Sequence, residues 1–167
     1  MLLIISVFLT CMVITAMITD ITSFIIPNML VVIILLTYPT VVFLAPVMPD
    51  WKMSLLIGGA TFAIGFILFA FKAMGGGDVK LLAVIAMFVG KAVFFQFLML
   101  MAVLGGALSI VLLLSRPIAA YIFARLGKPS TSIPRILTVG EPVPYGVAIG
   151  SAFLIMLWNG QISGITL

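Results

Sequence analysis

From Met1 to Thr19 no side chain carries a charge, and apolar runs of this kind recur along the chain as far as Trp158. At about 1.5 Å rise per residue, a helix over such a run reaches roughly 28 Å, close to the hydrocarbon thickness of a bilayer. With 65% hydrophobic and 7% charged residues, and a mean hydropathy of +1.47, the chain lies far above the roughly 45 to 50% apolar content of soluble domains. The 167 residues are therefore counted in bilayer crossings of about 20 residues each, and an all-α polytopic membrane protein is expected.

About six transmembrane helices fit. The first covers 1–19. It has no basic segment ahead of it and no small-x-small site before Asp20, so it reads as a span rather than a cleaved secretory signal. The second runs over 29–44 and ends in APVMPDWK, where Pro46, Pro49 and Asp50 supply turn chemistry and Trp51 suits an interface. The third covers 53–71, closed by Lys72. A short fourth, 81–89, begins near Asp78 and ends at Gly90 and Lys91. The fifth covers 92–114 and is expected to stop at Arg116 and Pro117. A polar connection over 116–142 follows, in which Ile118 to Leu126 is able to lie on the membrane surface. The sixth covers 143–158, so that 1–167 reads as one transmembrane domain.

Charge sets the expected orientation. Lys72, Lys80, Arg116, Arg125, Lys128 and Arg135 fall on one side, against Lys52 and Lys91 on the other, and the basic side is expected to be cytoplasmic. That basic face suits anionic lipid headgroups, which accounts for most of the pI of 9.6. No patterned basic and aromatic surface points to nucleic acid. Cys11 is alone, which excludes an internal disulfide and a cysteine-rich metal site, and is expected to be a small buried apolar residue. There is no histidine, and four scattered carboxylates argue against a zinc enzyme, so neither a metal nor a cofactor is expected.

Those four are Asp20, Asp50, Asp78 and Glu141. An acid near lipid costs roughly 3 kcal/mol or more, so one retained there usually does chemistry or carries ions. Asp50 belongs to the outer face. Asp20, at the end of span one, and Asp78, at the start of span four, both fall at the cytoplasmic face and can meet. Each stands beside a break in the chain: ITSFIIPN follows Asp20, and Gly75, Gly76 and Gly77 precede Asp78. Two carboxyls at one site share a proton more readily than both ionise, so one can activate water while the other polarises a scissile carbonyl. Glycines before Asp78 would let an extended substrate approach. Pro27 and Asn28 break the chain, with Asn28 expected to cap the next helix.

Asp20 with Ile26, Pro27 and Asn28 resembles the D-x5-IPN signature of type IV prepilin peptidases. Gly75, Gly77, Asp78 and Lys80, in GGGDVKL, resemble that family's GxGD motif with its following lysine, and VPYGVAIG resembles the segment that opens its last helix. The resemblance implies a GxGD-type aspartic endopeptidase of the inner membrane, with Asp20 and Asp78 catalytic and facing the cytoplasm, independent of metal. It would remove the basic leader of prepilin-like substrates just before their hydrophobic helix. With one cysteine and a tight turn over 20–28, the chain resembles the short form without a methyltransferase domain, associated with Flp or Tad pili or with preflagellin peptidases.

Other residues carry two readings each. Lys80 either holds a carboxylate or substrate group or snorkels to headgroups. Glu141 either contacts a basic leader or is a solvated loop acid. Gly58, Gly59, Ala60, Gly65, Gly105, Gly106 and Ala107 permit close helix approach and are expected mainly to serve internal packing. Two other functions compete. A presenilin-type protease shares GxGD, but Asp20 lacks a preceding tyrosine and Val143-Pro144-Tyr145 stands where that family has Pro-Ala-Leu. A small ion-coupled transporter or channel subunit would use the acids as a proton relay, but no inverted repeat is evident.

Overall fold

A computed structural model of the chain describes residues 1–45, 50–127, 129 and 132–162. Pro46, Pro49 and Lys128 lie outside the described residues. Among the described residues five α-helices follow one another: α1 (Leu2–Ser23), α2 (Asn28–Leu44), α3 (Trp51–Ala70), α4 (Gly76–Arg125) and α5 (Tyr145–Trp158), with a 3-10 turn at Arg135–Leu137 before the last. No strand occurs among the described residues. Helices α1, α3 and α4 are long and apolar enough to cross a membrane, while α2 and α5, at 17 and 14 residues, are apolar but shorter.

The expected fourth and fifth spans are the two arms of α4. They part at Gly90, whose φ of 68° and ψ of 175° lie in a region essentially closed to residues with a Cβ. Pro117 does not end the helix, contrary to expectation; α4 continues through it to Arg125. A proline at 117 removes one backbone hydrogen bond, the one to the Leu113 carbonyl, and an apolar helix tolerates a single such loss. Pro39 likewise lies inside α2 without ending it. Along α1 the hydroxyls of Ser6, Thr10, Thr15, Thr19 and Thr22 donate to carbonyls three or four residues back, so these hydroxyls are paired within an apolar helix.

Packing follows heptad-like stripes. Helix α1 buries Ser6, Leu9, Val13, Ala16 and Asp20, leaving Cys11 exposed on the opposite side, so the expectation that Cys11 is buried is corrected. Helix α3 buries Ser54, Gly58, Thr61 and Gly65, a stripe of small residues against the first arm of α4. A Cβ on Gly58 would lie 2.4 Å from Met87 Cγ, and one on Gly65 would lie 2.7 Å from Val79 Cγ1. Gly105 faces Ala148 and Tyr145 of α5 in the same manner, whereas Gly59 and Gly106 face open space. Close approach of this kind maximises van der Waals contact, the main attraction between helices once lipid has removed any hydrophobic difference. At the centre, Phe88 stacks edge-on against Tyr38 of α2 at 5.2 Å and Phe153 of α5 at 6.2 Å.

Candidate functional site

Phe24 ends α1 by turning into the left-handed region (φ 54°), with its N–H returned to the Asp20 carbonyl at 2.9 Å. Asp20 is thus held on the last full turn of α1. Gly75 caps α4 in extended conformation and places Asp78 third in the helix, in the first turn, where free N–H groups and the helix dipole favour an acid. Asp20 is 4% and Asp78 8% exposed. The start of α5 covers Asp20, which is why an acid at the end of its helix is buried within the protein.

The VPYGVAIG segment was marked in the sequence as the opening of the last helix, but its packing against both acids was not foreseen. Gly146 sits against both acids, its backbone facing the two carboxyls and that of Val147 facing Asp20. A Cβ at 146 would stand 2.7 Å from Asp20 Oδ2 and 2.8 Å from Ile26 Cδ1. The signal was present as a glycine in the second position of a helix, where nothing in the local conformation requires one. Close approach by another segment is the remaining reason for it.

The two motifs, some fifty residues apart in sequence, pack on each other. A Cβ on Gly77 would lie 3.1 Å from Ile26 Cβ, and Lys80 Nζ donates to Asn28 Oδ1 at 2.8 Å. Asn28 therefore does not cap α2, as had been expected; it is the first helical residue after Pro27, and its side chain turns to Lys80 instead. Gly75 leaves room for Asp78 itself, since a Cβ there would stand 2.7 Å from Asp78 Oδ2. The glycines thus accommodate the acids and the Ile26 segment.

Asp20 and Asp78 line two clefts, of about 350 and 530 Å³, that share Phe24 and Gly75 as well. Phe69, Lys72, Met74, Pro142, Val143 and Tyr145 complete the smaller, and Ile25 to Asn28 with Gly76, Gly77 and Lys80 complete the larger. Asp20 Oδ2 and Asp78 Oδ1 are buried without a hydrogen-bonding partner. Among the described residues the single ion pair is Arg135 with Glu141, at 3.0 Å, so no cation neutralises either aspartate and Glu141 is not a free loop acid. No group of three or more His, Cys, Asp or Glu among the described residues could hold a metal ion. Asp50 lies away from this site and caps α3, accepting from the Met53 N–H at 3.2 Å.

Buried polar atoms in proteins are nearly always paired, and buried carboxyls left without partners beside a cleft are the ordinary mark of a site that binds or reacts. Neither a curated protein nor a solved structure matches the chain. The family model of type IV leader peptidases matches residues 7–110, more than half of the chain and a stretch that contains both Asp20 and Asp78. Matched over that stretch, a helical protein with span-length apolar helices and two buried, unpaired carboxyls beside one cleft belongs to the type IV leader peptidase family.

Proposed function

We propose that this chain is a membrane-embedded aspartic endopeptidase that cuts the basic leader from prepilin-like precursors at the cytoplasmic face of the inner membrane. The observation that carries the reading is the pair of buried carboxyls, Asp20 and Asp78, which line the same two clefts and each keep one buried oxygen without a hydrogen-bonding partner. Two carboxyls lining the same two clefts would share one proton more readily than both ionise. The ionised member takes a proton from water as its oxygen attacks the scissile carbonyl carbon, and the protonated member passes its proton to the carbonyl oxygen. Collapse of the tetrahedral species breaks the C–N bond, and a proton returns to the leaving amine.

Residues 1–167 act, in this reading, as one GxGD-type peptidase domain of six crossings, with the two arms of α4 counted separately. Lys72 and Lys80 flank the acids, one in each cleft, and the positive-inside tendency supports a cytoplasmic site. A substrate whose apolar helix lies in the bilayer beside the protein would bring the boundary between leader and helix to that depth. A proton relay is less well supported, because two acids on one cleft wall do not form a path across the membrane.

Co-expression with a small prepilin-like substrate, followed by leader removal on a gel, tests the reading. Wild type processes the substrate, while Asp20→Asn and Asp78→Asn, present in the membrane at normal levels, do not. Processing that persists in either variant removes that acid from the mechanism.

A further inference from the structure

Between α4 and α5 the chain carries backbone carbonyls that no helix satisfies, and three of them converge on one side chain. Arg116 Nε donates to the Ile136 carbonyl at 3.1 Å, Nη1 to that of Glu141 at 2.6 Å and Nη2 to that of Pro142 at 2.8 Å. Every nitrogen of the guanidinium is used, each on a different carbonyl, and no carboxylate stands within ion-pair distance among the described residues. A partly buried cation held only by neutral acceptors gives up solvation without a counter-ion, so its placement needs a reason beyond charge.

The reason lies in what the carbonyls belong to. Ile136 stands at one end of a loop and Glu141 with Pro142 at the other, so the planar fork closes the loop at its base. The Arg135–Glu141 pair closes the same loop from outside. The Arg135 guanidinium also lies over the Phe24 ring at 5.1 Å, fastening the loop to the end of the helix that carries Asp20. Immediately after the clamped carbonyls, Pro142, Val143 and Tyr145 form a wall of the smaller cleft, and Gly146 follows against both acids.

We propose that Arg116 is a positioning residue for peptide hydrolysis: its three-carbonyl clamp fixes the 142–145 wall and so sets the Gly146 backbone against Asp20 and Asp78. The inference rests on the peptidase reading given above. It requires the guanidinium geometry, because an ammonium is a point charge that cannot span three carbonyls in one plane. Arg116 lines neither cleft, so its loss acts through displaced geometry, where an error near 1 Å is worth up to about a hundredfold in rate.

The test measures leader removal by the full chain in membranes, for wild type, Arg116→Ala, Arg116→Lys and, as a control that removes a cation from the same end of α4, Arg125→Ala. We expect Arg125→Ala to match wild type and both Arg116 variants to lose about ten- to a hundredfold, in kcat rather than KM. Millimolar guanidinium ion should restore much of the Arg116→Ala activity, methylammonium should not, and neither should restore Asp78→Asn. Wild-type rates in Arg116→Lys would overturn the clamp, because charge alone would then suffice. A loss without guanidinium rescue, or one that follows membrane level or KM, would overturn it in favour of a purely structural role. Failure of wild type itself to cut the substrate would instead sink the peptidase reading and this inference with it.

Discussion

From Asp78 to Gly90 every residue of α4 except Lys80 is buried, whereas beyond Gly90 Phe95, Met99, Val103, Val111 and Leu113 face outward. The two arms have similar apolar composition and opposite surroundings. In a soluble protein that pattern would be inverted in sequence, because exposed faces become polar. Here lipid is as apolar as the interior, so hydropathy cannot tell the packed arm from the peripheral one. What separates them is shape. Small stripes on α3 and close contacts from α2 and α5 let neighbours close around the first arm, and Asp78 sits at the head of the most tightly held segment in the molecule.

Substitutions on the two arms should therefore diverge. The largest divergence is chemical: Asp78→Asn is expected to lower leader cleavage by roughly a hundredfold or more, while Gln96→Leu on the second arm leaves it unchanged, as read by substrate processing at matched membrane levels. Next comes packing. Leu81 is fully buried and Leu113 is 73% exposed. Leu81→Ala should cost about 2 to 4 kcal/mol and Leu113→Ala less than about 0.5 kcal/mol, read from unfolding midpoints in detergent. Equal costs would break the comparison.

The junction offers a sharper case. Gly90→Ala places a Cβ on a backbone at φ 68° and ψ 175°, an expected loss of about 1 to 3 kcal/mol. Gly106→Ala, in the second arm and facing open space, should be neutral or slightly stabilising in the same assay. Within the first arm the smallest effect is expected at Lys80, its one exposed residue. Lys80→Met removes its hydrogen bond to Asn28 and should cost at most about 1 kcal/mol, with activity falling no more than a few-fold. A loss as large as that of Asp78→Asn would make Lys80 part of the chemistry.

Much of the helical order was legible, since charge-free runs and their breaks are local signals. The runs over 29–44 and 53–71 reappear as α2 and α3, and the break at Gly90 falls where a glycine followed by Lys91 implied one. Pro117 misled because proline is read as a terminator from soluble helices, while apolar helices absorb one missing hydrogen bond. Asn28 misled because its type suits a cap, yet a lysine on another helix offered a better partner. Cys11 misled because in lipid an apolar residue has no preference for the inside.

The sequence by itself determined that the chain is helical and suited to a membrane. It also marked Asp20 and Asp78, each beside a backbone break, as the acids that needed a reason, because the cost of a carboxyl in apolar surroundings acts at each residue alone. Tertiary structure decided that α5 begins against both acids and that Gly146 must be glycine for it to do so. It also decided that Arg116 gathers three carbonyls, and which arm of α4 is enclosed. Those features are distances between segments far apart in the chain, and where lipid and interior are equally apolar no pattern of polarity records them.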